Sequence, residues 1–379
     1  MQLALVRQRY NAYGGAERFI ERAIDALEAQ GVSVTLLARE WVGEPGRVVR
    51  CDPFHIGRVW RDWSFARAVC GELGRRSFDL VQSHERIACC DVYRAGDGVH
   101  AQWLANRRAA LGPAGRLGIV LNPYHRYVLA AERRLFASRR VRAVICNSHM
   151  VKGEIRARFG LDERKLHVIY NGVDLEFFHP RLRGEHRARA RAELGIPRDA
   201  VVWLFVGSGF ERKGVFRLLP VFRRSADASA HLIVVGEDRA GARAKALARD
   251  LDVGERVHFL GGRKDVRPWY GAADAFVLPT LYDPFPNAAL EAMACGLPVV
   301  VTVQCGAAEL VRDGENGFVC DARDEGSLAS ALAQADATRA RDMGARARET
   351  AARFGLDAMA RELVALYRDL ARGPGGQRL

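Results

Sequence analysis

Gln2-Leu3-Ala4-Leu5-Val6 is followed by the glycine pair of Tyr13-Gly14-Gly15, a helical pattern from Ala16 to about Gln30, and a second apolar run at 32–38. Strand, glycine turn, helix and strand make a βαβ unit, and such a unit builds a parallel sheet. Gly31 stops the helix. The same rhythm continues outward, with strands expected at 80–83, 91–95 and 141–147. Around 170–198 the character changes: Asn171-Gly172-Val173-Asp174 is turn-rich, Pro180 follows, and 181–193 is polar and arginine-dense. A second βα series opens at 201–206 and continues with strands at 232–235, 257–260, 275–278 and 298–302. Helices are expected between them, at about 214–225, 240–250, 266–273 and 287–295, then at 327–352 and 357–371. The expected class is α/β, with two Rossmann-like, doubly wound domains facing a cleft. The expected division is an N-terminal Rossmann-like domain at 1–170, a linker at 171–198, a C-terminal Rossmann-like domain at 199–352, and a helix and tail at 353–379. That last helix is expected to pack back on the N-terminal domain.

The composition agrees with two folded domains. The chain has 379 residues, 49% of them hydrophobic and 27% charged, which excludes a disordered polymer. No stretch of about 18 uncharged apolar residues is present, and the start lacks the pattern of a secretory signal. A cytoplasmic location is therefore expected. Eight cysteines, at 51, 70, 89, 90, 146, 295, 305 and 320, show no CxxC spacing. They read as small buried hydrophobes, with neither a zinc site nor a disulfide framework expected. The net charge is +13, from 58 basic and 45 acidic residues. The excess is local: 101–165 holds 14 Arg or Lys against four Asp or Glu, a balance of +10. Such a surface attracts anions, whether nucleic acid, acidic lipid or phosphorylated sugar.

Ligands of doubly wound sheets bind beyond the carboxyl ends of strands, so the loops after strands carry the information. Gly207-Ser208-Gly209-Phe210-Glu211-Arg212-Lys213-Gly214 follows a strand and opens a helix. Small residues let the backbone approach a ligand, and amides, a helix N-terminus and two cations suit a diphosphate. It is neither a P-loop, because Val215-Phe216 follows Gly214, nor a dinucleotide fingerprint, because Arg212 replaces the third glycine. In Asp283-Pro284-Phe285-Pro286-Asn287-Ala288-Ala289-Leu290-Glu291, Asn287 is expected to cap a helix running to Cys295, with Gly296 as its stop. Glu291, one turn in, suits a ribose diol. Asp283 stands near the loop start. Gly14-Gly15 brings backbone amides close to a ligand, and Ala95-Gly96-Asp97-Gly98-Val99-His100 offers a carboxylate and an imidazole.

Taken together and in order, several segments resemble glycosyltransferase family 4, the retaining GT-B enzymes. They are Gly14-Gly15-Ala16-Glu17-Arg18, Val144-Ile145-Cys146-Asn147-Ser148, Val168-Ile169-Tyr170-Asn171-Gly172-Val173-Asp174, Val206-Gly207-Ser208 with Arg212-Lys213-Gly214, Phe259-Leu260-Gly261, and Leu290-Glu291-Ala292-Met293-Ala294-Cys295-Gly296-Leu297-Pro298-Val299-Val300. Asp91-Val92-Tyr93-Arg94-Ala95-Gly96-Asp97, Gly209-Phe210-Glu211-Arg212-Lys213-Gly214-Val215 and Thr302-Val303-Gln304-Cys305-Gly306 are similar to the lipopolysaccharide core glucosyltransferase I type.

The resemblance implies roles. Arg212 and Lys213 would neutralise the donor diphosphate as charge develops on it. Glu291 would hold the ribose, and Asp283 would face the transferred sugar where the family pattern has Glu. Asp97 takes the catalytic position on the acceptor side, with His100 beside it as a reserve. Gly14, Gly15, Gly207, Ser208, Asn287 and Ala288 would line the donor, with Arg263 near the base. The implied chemistry is retaining, with no metal, no cofactor and no protein nucleophile. It moves a hexose, glucose from UDP-glucose, to a heptose of the lipopolysaccharide inner core. Trp103, Arg107, Arg108, Arg126, Arg133 and Arg134 suit a phosphorylated glycolipid acceptor and an anionic membrane surface, so peripheral attachment to the inner face of the cytoplasmic membrane is expected. The alternatives are a family 4 transferase with another glycolipid, capsule or exopolysaccharide acceptor, and a basic nucleic-acid- or anion-binding protein without catalysis. No nucleic-acid motif supports the latter.

Overall fold

The computed structural model describes residues 1–8, 23–41, 48–109, 111–225, 227–334 and 337–372. Gly14 and Gly15 lie outside them. The chain divides into two units, Met1–Tyr170 with Asp357–Leu379, and Asn171–Leu356.

The first unit is built on a parallel sheet. Its strands are β1 (Gln2–Val6), β2 (Ser33–Ala38), β3 (Val48–Arg50), β4 (Leu80–Ser83), β5 (Val92–Arg94), β6 (Ala143–Cys146) and β7 (Leu166–Val168). Their order is β3-β2-β1-β4-β5-β6-β7, and every pairing is parallel. β4, β5 and β6 are buried along their whole length. Near-continuous burial is what helices on both faces of a sheet impose, and it explains why these strands read as short apolar runs without alternation. Helices α1 (Gly57–Arg75), α2 (His100–Ala109), α3 (Pro113–Leu121), α4 (Pro123–Phe136) and α5 (His149–Phe159) connect the later strands.

The second unit repeats the plan. Helix α6 (Leu182–Glu193) precedes β8 (Val202–Val206), and one short turn of helix, α7 (Phe210–Lys213), leads into α8 (Val215–Ser225). Then come β9 (His231–Val235), α9 (Gly241–Asp250), β10 (Val257–Gly261), α10 (Arg267–Ala272), β11 (Ala275–Leu278), α11 (Asn287–Ala294), β12 (Val299–Thr302), β13 (Gly317–Cys320), α12 (Glu325–Gln334) and α13 (Ala337–Ala351). The strand order is β10-β9-β8-β11-β12-β13, again all parallel. The order reverses direction between β8 and β11, and the carboxyl ends of those two strands are where a sheet of this kind receives a ligand. α14 (Leu356–Arg372) closes the chain, and from Asp357 on it belongs to the first unit. Tyr367 of α14 donates to Gln82 Oε1 at the end of β4, at 2.5 Å.

Three expectations need correction. Residues 171–198 are not a linker: they belong to the second unit, and α6 packs against α10. The arginines that gave the segment its solvated look serve that packing. Arg183, Arg187 and Arg191 all pair with buried Asp274, and the Arg191 guanidinium, itself buried, also donates to the Ala272 and Ala200 carbonyls. The helical stretch expected at 327–352 is two helices, α12 and α13. Finally, Cys70 of α1 and Cys89 form a disulfide, a pairing with no spacing signature. The other six cysteines are buried, as small hydrophobes would be.

Candidate active site

The turn after β8 is shaped by its glycines. Gly207 has φ of +152°, and a Cβ there would lie 2.6 Å from Lys213 Cδ. The lysine stem therefore lies across the glycine, and any side chain at 207 would displace it. At Gly214, φ is +85° and a Cβ would run into the Pro279 carbonyl. This close approach joins the β8 turn to the loop after β11. Leu281 N and Thr280 Oγ1 donate to the Arg212 carbonyl, at 2.8 and 3.0 Å. Thr302 Oγ1 in turn donates to the Thr280 carbonyl at 2.7 Å.

The two loops bring Arg212, Lys213 and Asp283 together. Asp283 Oδ2 lies 3.3 Å from Arg212 Nη1 and 3.3 Å from Lys213 Nζ. Arg212 Nη1 also donates to the Tyr282 carbonyl at 2.9 Å. Asp283 is buried, and Lys213 nearly so. One carboxylate thus fixes two cations at the switch point of the sheet, and the cluster keeps a surplus positive charge. Such a group favours a bound polyanion, because its donors are held in place before the ligand arrives.

The amides here behave otherwise than expected. Gly209 N and Phe210 N donate to Asp238 Oδ2, at 2.7 and 3.1 Å, so this helix tip is capped from within the protein. Arg212 and Lys213 are then the positively charged groups of the turn, with Ser208 exposed nearby. Asn287 does not cap α11 either. Pro286 occupies the N-cap, Asn287 is the first helical residue, and its Oδ1 accepts from Asn171 Nδ2 at 2.7 Å. α11 ends at Ala294, with Gly296 in the left-handed region beyond it.

Glu291 is half-buried, and it is held in place. Tyr270 Oη donates to Glu291 Oε2 at 2.8 Å and also lies 3.2 Å from the Ala288 carbonyl. Tyr270 itself is buried, edge-on to Phe178. Neither Tyr270 nor Asp238 was singled out from the sequence. Both act over distances in the chain that no local pattern encodes. Arg263 is exposed on the loop after β10.

In the first unit, Asp97 is exposed, with Arg7 Nη1 3.8 Å from its Oδ2. His100 opens α2 and is drawn inward. Its Nε2 lies 3.1 Å from His125 Nδ1. Burial, with Arg86, His125 and Arg58 adding to it, pushes the His100 pKa down to about 3. Beneath it lies Glu132 of α4, which is buried. Its carboxylate accepts from His100 N at 2.6 Å, Ala101 N at 3.2 Å and Arg86 Nε at 3.0 Å, capping α2. Trp103 and Arg107 are half-buried, while Arg108, Arg126, Arg133 and Arg134 are exposed. Among the described residues no group of three or more His, Cys, Asp or Glu is arranged to hold a metal ion, and no helix is long and apolar enough to cross a membrane.

Comparison with known proteins extends the picture to the whole chain. Residues 13–177 match the Glycosyltransferase Family 4 model, and residues 186–351 match the model for glycosyl transferases group 1. The lipopolysaccharide core biosynthesis glycosyltransferase LpsE of Rhizobium meliloti is 31% identical over 322 residues, 85% of this chain and 85% of that one. The lipopolysaccharide glucosyltransferase WaaG of Escherichia coli is 26% identical over 325 residues, 84% of this chain and 85% of that one. A crystal structure of WaaG superposes with a TM-score of 0.81 at 24% identity, covering 98% of this chain and all of that one (100%). Anabaena HepE in complex with UDP-glucose gives 0.72 at 21% identity, covering 97% and 100%.

Proposed function

The chain belongs to the family 4 glycosyltransferases with a group 1 domain, GT-B in fold, and from that premise we propose that it transfers glucose from UDP-glucose to a heptose of the lipopolysaccharide inner core, with retention at the sugar carbon. What carries this reading is the group Arg212, Lys213 and Asp283 at the β8–β11 switch point, with Tyr270-held Glu291 on the helix that follows the same loop. The lipopolysaccharide relatives support the acceptor class, the glucosyltransferase name of one supports the sugar, and the UDP-glucose complex of a structural neighbour supports the donor.

On this reading the diphosphate sits against the Arg212 guanidinium and the Lys213 ammonium. As the sugar–phosphate bond breaks, negative charge grows on the leaving UDP, and the fixed cations stabilise it more than they stabilise the ground state. Asp283 holds the two cations in register. Glu291 accepts from the ribose hydroxyls, with its carboxylate turned by Tyr270. The acceptor hydroxyl attacks the face the phosphate leaves, and the departing phosphate takes its proton, so no protein nucleophile, metal or cofactor is required. Asp97 contributes on the sugar side. His100, already neutral across ordinary pH, serves the start of α2.

The exposed arginines at 108, 126, 133 and 134 and the exposed apolar residues Leu117, Val120 and Leu121 attach the first unit to the inner face of the cytoplasmic membrane. The deciding experiment is turnover with a panel of nucleotide sugars on truncated lipopolysaccharide, with the product anomer read by NMR and chelator included in one arm. UDP-glucose should lead, with retention and no loss to chelator. Transfer to another glycolipid only, inversion, or loss with chelator would each refute the corresponding part.

A further inference from the structure

The segment 52–67 serves none of these roles, yet it is carefully held. Arg39, at the end of β2's run, is fully buried. Its Nη1 donates to Asp52 Oδ1 at 2.8 Å, to the Pro53 carbonyl at 2.8 Å and to His55 Nδ1 at 2.9 Å, and its Nη2 donates to the Arg61 carbonyl at 2.9 Å. A desolvated cation therefore fixes both the loop before α1 and the first turns of that helix. What it fixes is apolar and faces water: Phe54 is 73% exposed, Ile56 69%, Trp60 42% and Trp63 44%. Large apolar side chains presented on a pinned backbone mark an interaction surface.

Some of these side chains touch one another or a flanking cation. Phe54 stands edge-on to Trp60 at 5.5 Å, and the Arg67 guanidinium lies 5.2 Å from the Trp63 ring centre. Trp60, Trp63 and Arg67 follow helical spacing, so they share one face of α1. Apart from Val303, the other exposed large apolar residues among those described are Leu117, Val120 and Leu121 of α3. Both α1 and α3 pack on α4, and Arg58 stacks 4.0 Å over Tyr124 of α4.

Charge selects the occupant. Arg58 and Arg67 are exposed here. Nearby Asp62 is already taken up by Arg61 Nε at 2.6 Å, Tyr124 Oη at 3.1 Å and Gln8 Nε2 at 3.2 Å. Asp52 is likewise paired, with Arg39 and Arg50. Aromatic rings with an outward cationic fringe match the layer between the headgroups and acyl chains of an anionic bilayer. We infer that Phe54, Ile56, Trp60 and Trp63 insert into that layer, with Arg58 and Arg67 against acidic headgroups. This rests on the membrane attachment proposed above and adds a second, hydrophobic anchor to its basic one. Two anchors suit stable binding where one gives only marginal, reversible attachment.

The test uses the full chain with phosphatidylcholine vesicles, with and without phosphatidylglycerol, carrying brominated acyl chains. Wild type should bind the phosphatidylglycerol vesicles, and its tryptophan fluorescence should be quenched by bromine. The pairs Trp60→Ser with Trp63→Ser, and Phe54→Ser with Ile56→Ser, should each weaken partitioning at least about tenfold. Turnover on a delipidated acceptor should be unchanged, which separates this inference from the proposed reaction. Because all four side chains are exposed, thermal midpoints should stay at the wild-type value, and the loop pair tests the inference if the helix pair unfolds. Wild-type binding with both pairs overturns the inference and leaves the basic attachment standing. Failure of wild type to bind any vesicle overturns both. A concentration-dependent dimer that the Trp60→Ser, Trp63→Ser pair abolishes would assign the surface to a second copy and overturn it as well.

Discussion

The turn from Gly207 to Gly214 and the turn from Ala95 to His100 each follow a parallel strand and lead into a helix, and they handle charge in opposite ways. In the first, a buried carboxylate pins two cations, Arg212 and Lys213, and the cluster keeps a surplus positive charge. In the second, the buried carboxylate of Glu132 is spent on the backbone of α2 and on Arg86, while Asp97 stands exposed. The first turn is organised by side-chain charge. The second turn is organised by a helix cap, with Asp97 exposed 3.8 Å from Arg7 Nη1.

If this contrast is right, Glu132→Ala acts on stability. Removing it leaves Arg86 without its buried partner and uncaps α2, at a cost of about 3–5 kcal/mol. Denaturant unfolding should read that loss, with turnover per folded molecule retained. A change under about 1 kcal/mol would break the contrast. Tyr270→Phe should act on the donor, raising KM for the nucleotide sugar about tenfold by loss of one hydrogen bond to a charged group, with kcat nearly kept. If Tyr270 works through Glu291, the preference for a ribose over a 2′-deoxyribose donor should shrink as well. A purely structural tyrosine would leave that preference intact.

A further effect is on pH. His100 holds its proton only below about pH 3 in the folded chain, against an ordinary value of 6.5. Between those values the unfolded chain binds a proton that the folded chain refuses, so stability falls as pH drops through this window. His100→Gln should reduce the slope of stability against pH there by up to about one proton equivalent. An unchanged slope would show that His100 is not held neutral.

The sheet was legible because fully buried parallel strands leave short apolar runs. Most expected strands, such as 80–83 and 275–278, fall where the structure has them. The strands β3, β7 and β13 were not expected: all three lie at sheet edges, and β3 and β7 are only partly buried, so they lack the continuous apolar run of a central strand. Helix α6 was hidden by its arginines, whose partner Asp274 is some 80–90 residues away in the chain. The cation pair was legible from glycine spacing and order. Tyr270, Asp238 and Glu132 were not, because each works through a long-range contact with ordinary local sequence around it. The Cys70–Cys89 link is of the same kind.

The central claim is that the second unit grips a diphosphate with Lys213 and Arg212. Calorimetric titration of UDP and of uridine into wild type and Lys213→Ala tests it most directly. Wild type should bind UDP at least about a hundredfold more tightly than uridine, and Lys213→Ala should remove most of that gap while binding uridine as before. Equal affinities of wild type for the two ligands, or a gap untouched by the substitution, would contradict it.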